Sequence, residues 1–436
     1  MIVKKRLIYI PVTLLFYLGI VFPICAQEGP VGDTTRIQNA PVDTVNTFYH
    51  YDIGDAVYDI FHRRERIIDT LKTPSGISFV PNVAYNPTIG LQGGIKAMAG
   101  RVLGNEPNTT MSVAATTIAA TTKGILVFYL NHNVFTPGNT YNVQGIWRAA
   151  KVVMPDYGLG SGPRRDEVFE KDGIPINNTN KVHVLHYTSF TFNEKVFKNI
   201  GKNFYLGGGL SFDIKSSIDD RSLASDGNTP HFSYSNYEGI SPNRYVSNGI
   251  LLDVQYVDRD HPNSARRGIY ADIGIRANQR WMGSTRTAYQ ATVDFRKYWS
   301  LSKRKPDHVL AFWHWSSYLL SGTLPYFDLP GTASDFYSRT GRGYTFGRFR
   351  GPQFFYLETE YRFPITKNKF LGGVVFANMQ SASNVYGTKL FDYWEPAGGA
   401  GLRVLFNKHT RTYLCLDYAV GKYGARGFFL GLNEAF

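Results

Sequence analysis

The sequence predicts an all-β protein, a 16-stranded antiparallel transmembrane β-barrel that follows a short N-terminal leader and an amphipathic helix. Three observations predict it. Apolar and polar residues alternate with a period of two in many segments, aromatic residues make up 15% of the 436 residues, and 43 glycines accompany only 19% charged residues. Beyond residue 26 no apolar run reaches the roughly 20 residues of a membrane-spanning helix. Alternation between an apolar and a polar face is typical of a barrel between lipid and a polar interior.

Residues 1–26 predict a signal peptide. Basic residues at 4–6 precede the apolar run LIYIPVTLLFYLGIVFPI, and Ala26 supplies a small residue before a cleavage point. An uncleaved anchor is one alternative. Lipidation at Cys25 is another, but Ile24 stands where that processing requires a small residue.

Residues 27–76 predict a polar leader and an amphipathic helix. The stretch 27–48 is rich in Gly, Pro, Asp and Thr, which is typical of an extended or disordered segment. Between Ile53 and Leu71 the apolar residues recur at spacings of three, four and seven, which is the period of a helix with one apolar face. We expect this helix to dock at the periplasmic mouth of the barrel, with a luminal plug as the alternative.

The barrel domain is predicted to cover residues 77–436. In FFYLETEYRF, the odd positions from Phe355 to Phe363 form one face suited to lipid, and the even positions, which include Glu358 and Glu360, form a polar face. Similar segments separated by turn residues give these strands: 77–85, 87–102, 109–121, 123–135, 139–154, 181–197, 203–217, 246–258, 267–280, 285–300, 307–322, 352–365, 368–379, 397–407, 411–421 and 426–436. An even strand number, with short turns alternating with long connections, is expected of such a barrel.

The last predicted strand, GFFLGLNEAF, places four apolar side chains on one face: Phe428, Leu430, Leu432 and Phe436. A final strand with a terminal aromatic residue resembles the signal by which bacterial outer-membrane barrels are presented to their assembly machinery. These four residues are therefore the predicted assembly signal.

The stretch GRGYTFGRFRG followed by LETEYRFP carries a family resemblance. It resembles the signature of the BamA/TamA superfamily of outer-membrane assembly barrels, in which an Arg-Gly-aromatic motif on the sixth external loop folds into the lumen. Arg342, Gly343 and Tyr344 match that motif, and VDRDHPNSARRGIYADI, with Gly268, resembles another family turn. Asn378 stands where the family usually carries Asp. The resemblance covers residues 77–436, most strongly after 246, and implies the family's barrel fold.

Elementary chemistry also predicts that this loop is held inside the barrel by Arg342, an arrangement called here the latch. Arg342 lies on the connection 323–351 and can reach the inward-facing Glu358 and Glu360, and bidentate guanidinium–carboxylate pairs are strong where water is scarce. Gly343 would allow a close backbone approach and Tyr344 would stack on the wall. The alternative is an external loop whose arginines, including Arg348 and Arg350, bind phosphates of surface glycolipid.

The function predicted from the resemblance is non-enzymatic. The barrel would assist insertion or translocation of proteins or lipids at the outer membrane of a Gram-negative bacterium, through a weak seam between its first and last strands. One alternative is a channel for anionic solutes. A less favoured one is an outer-membrane hydrolase, for which His314 with Ser316 and Ser317 is the candidate site.

Partners and cofactors follow from composition and length. The net charge of +13 suits contact with anionic outer-membrane lipids and glycolipid, and an ordinary solvated basic surface is the equal alternative. Client barrel proteins are expected from the resemblance. Periplasmic partner subunits are expected because residues 27–76 are too few for one of the family's periplasmic POTRA modules. We expect no nucleic acid, no cofactor and no metal, since CxxC and HExxH motifs are missing and Cys415 is the one cysteine beyond the signal.

Overall fold

The structure is a computed structural model that describes residues 50–61, 75–82, 84–86, 90–106, 108–122, 124–163, 167–171, 174–178 and 181–436. The predicted signal peptide and the leader up to residue 49 lie outside these residues. Within them the helices are α1 (Ile53–Phe61), α2 (Leu223–Asp226) and α3 (Pro230–Tyr237), with 3-10 turns at Pro137–Asn139, Arg280–Met282 and Tyr326–Asp328. No helix in this part of the chain is long and apolar enough to cross a membrane.

Strands dominate the described residues. They are β1 (Ser75–Pro81), β2 (Ala84–Asn86), β3 (Gly90–Arg101), β4 (Ser112–Thr121), β5 (Leu126–Phe135), β6 (Tyr141–Asp156), β7 (Glu167–Lys171), β8 (Ile174–Asn178), β9 (His183–Gly201), β10 (Phe204–Asp220), β11 (Tyr245–Arg259), β12 (Gly268–Asn278), β13 (Ala288–Ser300), β14 (Val309–Gly322), β15 (Gln353–Pro364), β16 (Leu371–Ala382), β17 (Glu395–Asn407), β18 (Thr412–Gly421) and β19 (Arg426–Leu432).

The strands form one antiparallel ladder in chain order. β1 and β2 both pair with β3 and share one barrel position, β6 pairs with β9, and the hairpin β7–β8 is a separate sheet within the connection that follows β6. The predicted sixteen-stranded antiparallel arrangement is confirmed. Within the described residues no ladder pairing joins β1 or β2 to β19, so the hydrogen-bonded sheet ends at these strands.

The predicted alternation is also confirmed. Along β15 the even positions are buried and the odd positions face outward. On β18, Leu416, Tyr418 and Val420 are exposed, whereas Asp417 and Ala419 are buried. Because apolar side chains point outward while carboxylates point inward, the outer surface suits hydrocarbon and the interior holds charge.

The largest buried cluster lies inside the barrel. Trp313, Tyr298 and Tyr356 point inward from β13–β15 and pack with Phe349 of the connection 323–352 and with Phe436. A 16-stranded barrel is wide enough to leave an aqueous channel unless chain fills it. Here the connection between β14 and β15 supplies much of that filling.

Helix α1 is shorter than the predicted helix, ending at Phe61; residues 62–71 of that prediction lie outside the described residues. Asp52 and Asp55 cap it reciprocally, each carboxylate accepting the other's backbone N–H at 2.9–3.0 Å. Both carboxylates also bind Lys408 in the β17–β18 turn, at 3.0 Å to its N–H and 2.8 Å to its Nζ. The helix therefore docks at the end of the barrel opposite the long connections, called here the short-turn end.

Gly268 shows why the turn before β12 requires glycine. Its φ is +107°, and a Cβ there would lie 1.8 Å from the Asp258 carbonyl oxygen. A side chain would be excluded both by the dihedral and by the close ladder partner.

Candidate functional site

The connection 323–352 runs through the lumen. Leu324, Thr332 and Arg342 are almost wholly buried, and an isolated bridge joins Gly331 to Arg350. Asp335 orders the tip, its Oδ1 accepting the backbone N–H groups of residues 339 and 340 at 2.7 Å each. A buried loop must satisfy its own polar backbone groups, and this one does so with side chains and short turns.

Arg342 contacts both carboxylates named from the sequence. Its guanidinium donates to Glu358 and Glu360, neighbours on the inner face of β15, with Nε 3.4 Å from Glu358 Oε2. The guanidinium is 6% exposed and the two carboxylates are fully covered. Buried, charge-assisted contacts of this kind are stronger than surface pairs.

Two further groups complete the seat of Arg342. Its Nη1 donates to Asp417 Oδ2 on β18 at 2.8 Å, and its Cζ lies 3.6 Å from the centroid of the Phe376 ring. Asn378 Nδ2 donates to the Arg342 carbonyl at 2.9 Å and to Glu358 at 3.4 Å. Asn378 thus holds the arginine's backbone rather than its charge, and Asp417 is a contact that the sequence did not reveal.

Gly343 and Tyr344 pass close to β17 and β18. Gly343 has φ +103°, and a Cβ would lie 2.7 Å from the Ala397 Cβ. The Tyr344 hydroxyl donates to the Pro396 carbonyl at 2.7 Å and accepts the Lys422 N–H at 3.0 Å. A positive φ and a neighbouring backbone are the conditions that favour glycine.

A buried ionic network surrounds this seat. Arg362 donates to Glu360 at 2.5 Å, and Arg403 bridges Asp417 at 2.5 Å and Glu434 at 2.7 Å. The network contains three guanidinium groups and four carboxylates. The guanidinium groups are those of Arg342, Arg362 and Arg403, and the carboxylates are those of Glu358, Glu360, Asp417 and Glu434. No local sequence pattern links positions so far apart along the chain.

The same connection is held at the opposite wall by Asp328. Its carboxylate accepts from Lys215 Nζ at 2.9 Å and Ser247 Oγ at 2.6 Å, and the neighbouring Phe327 N–H donates to the Tyr245 hydroxyl at 3.1 Å. The connection therefore crosses the lumen between β10–β11 and β15–β18. Sequence analysis missed this second attachment, because Asp328 lies outside the arginine-rich motif.

Arg350 does not lie on an external phosphate-binding surface. Arg350 is 3% exposed, lies against the rings of Tyr326 and Phe327, and donates to the Tyr326 carbonyl at 3.2 Å. Arg348 is half-buried over Tyr157, its Cζ 4.6 Å from the ring centroid. The glycolipid alternative is wrong for Arg350, because its guanidinium is buried and contacts Tyr326 and Phe327 of the same loop.

The predicted last strand is corrected at its end. β19 stops at Leu432, Asn433 adopts φ +70°, and the chain turns inward. Phe428 and Leu430 face outward as predicted, but Leu432 is buried in an apolar cluster and Phe436 lies inside the barrel, 5.2 Å between ring centroids from Trp313. Arg362 Nη2 binds the main-chain oxygen of Phe436 at 2.9 Å, and this contact with the aromatic cluster explains the inward turn.

Two of the three candidate hydrolase residues, His314 and Ser316, meet on the outer face of β14. His314 Nδ1 donates to the Tyr356 carbonyl at 3.0 Å, and Ser316 Oγ donates to His314 Nε2 at 3.1 Å. Ser316 has no exposed surface, Ser317 faces inward, and in the described residues His314 has no carboxylate partner. Because the Ser316 hydroxyl is buried, it cannot contact a substrate. Its hydrogen bond with His314 instead gives both polar groups a partner. Among all the residues that the structure describes, no group of His, Cys, Asp and Glu side chains could hold a metal ion.

Helix α3 covers the outer end of the connection 323–352. His231 stacks on Phe327 at 5.2 Å and edge-on against Tyr326 at 5.4 Å between ring centroids. Burial lowers the pKa of His231 from 6.5 to about 4, the Asp156 carboxylate opposing and the Arg350 guanidinium assisting this shift. The ring is therefore neutral in the folded protein above about pH 4.

Acid should loosen this contact. Because the unfolded pKa is higher than the folded one, the stabilisation by neutral His231 is complete above pH 6.5 and is lost as pH falls towards 4. We expect faster hydrogen exchange in residues 323–335 at pH 4.5 than at pH 7.5, after correction for intrinsic rates. His231→Phe should remove most of that difference; an equal pH response in this variant would contradict the assignment.

Comparisons with known proteins bear on the fold. No protein-family model matches the sequence, and no curated protein matches it. The structure is similar to that of BamA from Haemophilus ducreyi lacking POTRA domains 1–3, with TM-score 0.51, 12% identity, and coverage of 83% of this chain and 69% of that one. CdiB from Acinetobacter baumannii also matches, with TM-score 0.46, 13% identity, and coverage of 82% and 59%. The predicted resemblance to the BamA type of barrel is confirmed at the level of the fold.

Proposed function

We propose that this chain is an outer-membrane barrel that assists insertion or translocation of proteins or lipids through the junction between β1 and β19, called here the seam. One observation carries the proposal: the antiparallel ladder is continuous from β1 to β19, yet no ladder pairing closes it in the described residues. The similarity to BamA supports it as analogy of fold.

Unpaired backbone groups at a strand edge in a membrane have a high free energy, and such an edge therefore tends to pair with another strand. Backbone N–H and C=O groups in hydrocarbon must find partners, and an open edge accepts an incoming strand readily. Pro81 lies on β1 and supplies no N–H, which suits an edge strand. Gly427 and Gly431 lie on β19, where they leave little side chain to pack across the junction.

Contacts at the short-turn end brace the seam without closing its ladder. Asn407 Nδ2 lies 3.5 Å from Ser78 Oγ, and α1 is bound to Lys408 next to it. Ile60 on α1 is 74% exposed and offers an apolar contact for a periplasmic partner subunit. Client barrel proteins, outer-membrane lipids and glycolipid are the other proposed partners.

The filled lumen favours this function over an anion channel. The connection 323–352 is attached to opposite walls through Asp328 and Arg342, and Phe436 occupies a further part of the interior. We propose that the Arg-Gly-Tyr motif is a latch that keeps the lumen closed while the seam opens. The work is mechanical, and the proposal assigns no catalytic residue.

Locking the seam should abolish activity. Cysteine pairs placed across residues 77–81 and 428–432, in a Cys415→Ser background, should crosslink and stop insertion of a urea-unfolded outer-membrane barrel into vesicles containing the protein. Reduction should restore it. The control is Ile118→Cys with Phe128→Cys, which lie opposite each other in the β4–β5 ladder. Full activity in a completely crosslinked seam variant would refute the proposal.

A further inference from the structure

A cavity of about 430 Å³ lies in the barrel interior beside β19, one of the two strands of the seam. Its wall comes from β3–β5 on one side and β18–β19 on the other, with the tip of the connection 323–352 across its inner face. Lys96 and Met98 line the first side, and Phe429 and Gly431 line the second. The cavity therefore adjoins β19 at one end of the open ladder and β3, the partner of β1 and β2, near the other end.

The lining carries more cationic groups than its own carboxylate can neutralise. Lys96, Arg259, Arg339 and Arg342 line it, and Asp417, its acidic side chain, is bound by Arg342. Arg296 also lines it but is paired with Asp294 at 2.6 Å. The Asp417 carboxylate is therefore already paired and does not neutralise the other cationic groups.

Three of these cations have no carboxylate partner in the described part of the chain. Arg339 donates to the main-chain oxygens of residues 434 and 435, and Arg259 lies 4.7 Å over the Tyr270 ring. The Lys96 ammonium, on a strand whose backbone is paired in the ladder, makes no hydrogen bond or ion pair with any described residue. Partly buried cations without a counter-charge are costly, and an anion in the cavity would offset that cost.

One part of the lining is apolar and roomy. Met98, Phe429 and Leu432 contribute hydrocarbon surface, and a Cβ added to Gly431 would meet nothing within 4 Å. A site with one basic side and one apolar side fits a ligand with an anionic head and a hydrocarbon part. Phosphate suits the head, because its several oxygens can accept from ammonium and guanidinium groups together.

We propose that this cavity binds the phosphate group of an anionic amphiphile, with Lys96, Arg259 and Arg339 around the phosphate and the apolar wall against its chain. This deepens the proposed function, on which it rests for entry of a lipid through the seam. The phosphate itself could belong to a lipid or be free in solution. Two titrations separate these sources.

The test is calorimetric titration of the full chain in an uncharged maltoside detergent. The probes are dioctanoyl phosphatidic acid, inorganic phosphate and the uncharged dioctanoylglycerol. We expect saturable binding of phosphatidic acid at one site per chain and a loss of about tenfold in affinity for Lys96→Gln, the value of one charge-assisted hydrogen bond. Lys198→Gln, an exposed lysine on β9, is the matched control and should bind normally.

Gly431→Leu tests the apolar side without changing charge, and should weaken phosphatidic acid binding more than phosphate binding. Saturable binding of phosphate but not of phosphatidic acid would keep the anion site and exclude the lipid source. No saturable binding of either, unchanged affinity in Lys96→Gln, or equal binding of dioctanoylglycerol would overturn the proposal. Binding of the probes to the protein in detergent does not require insertion of a client protein. An active seam-locked variant would therefore refute the proposed function without changing the outcome of the titrations.

Discussion

Arg342→Ala should release the connection 323–352 from the β15–β18 wall at a cost of about 3–5 kcal/mol, the range for removing one member of a buried ion pair. The guanidinium is 6% exposed and contacts Glu358, Glu360 and Asp417. Arg342→Lys should recover part of this loss, because an ammonium keeps the charge but lacks the planar fork.

The three carboxylates should not suffer equally. Without Arg342, Glu360 still has Arg362 at 2.5 Å and Asp417 still has Arg403 at 2.5 Å. Glu358 keeps only uncharged donors, Tyr356 and Asn378. Adding Glu358→Gln to Arg342→Ala should therefore restore more stability than adding Asp417→Asn, which would leave Arg403 short of a partner.

Hydrogen exchange and limited proteolysis of the purified protein measure the released loop. Exchange should accelerate in residues 336–350 of Arg342→Ala while the strands stay protected, because the ladder does not depend on this side chain. Arg348→Ala, on the same loop and without a carboxylate partner in the described residues, is the control. Unchanged protection in Arg342→Ala would show that Asp328 and the aromatic contacts hold the loop alone.

The barrel was predictable because its physics is local. Period-two alternation, as in β15 and β18, requires only that one face meets lipid and the other a polar interior. Strand ends agree to within a few residues where turn residues are strong, as at the turn before β12, where Gly268 is needed. The predicted helix from Ile53 also begins where the Asp52–Asp55 capping pair places it.

The interior was less predictable because its contacts are distant in sequence. Glu358 and Glu360 could be named since they follow Arg342 on the next strand, but Asp417 and Asp328 meet the loop only after the barrel folds. The inward turn after Leu432 was missed because Phe436 falls in register with Phe428, Leu430 and Leu432, although Glu434 interrupts that apolar face. Its direction is set by Trp313 and Arg362, which no local pattern connects to it.

Phe436→Ala should be the second most damaging substitution, with an expected loss of about 3–5 kcal/mol for a buried phenyl ring. The ring is 4% exposed and lies 5.2 Å from Trp313 and 6.2 Å from Tyr298 between centroids. Its removal would leave a void beside Arg362, whose bond to the main-chain oxygen would then have less packing to hold it. Phe436→Leu should lose less than half as much.

Two measurements separate this packing from the predicted assembly signal. Thermal unfolding of already inserted protein reports packing, and the amount inserted in cells reports assembly. Phe428→Ala is the control, because Phe428 is 54% exposed on the outer face of β19 and its loss should hardly change unfolding. If Phe436 serves packing, Phe436→Ala should also insert poorly from urea into pure lipid vesicles, where no assembly machinery is present. Normal unfolding and normal unassisted insertion, with poor insertion in cells, would instead assign Phe436 to recognition by the machinery alone.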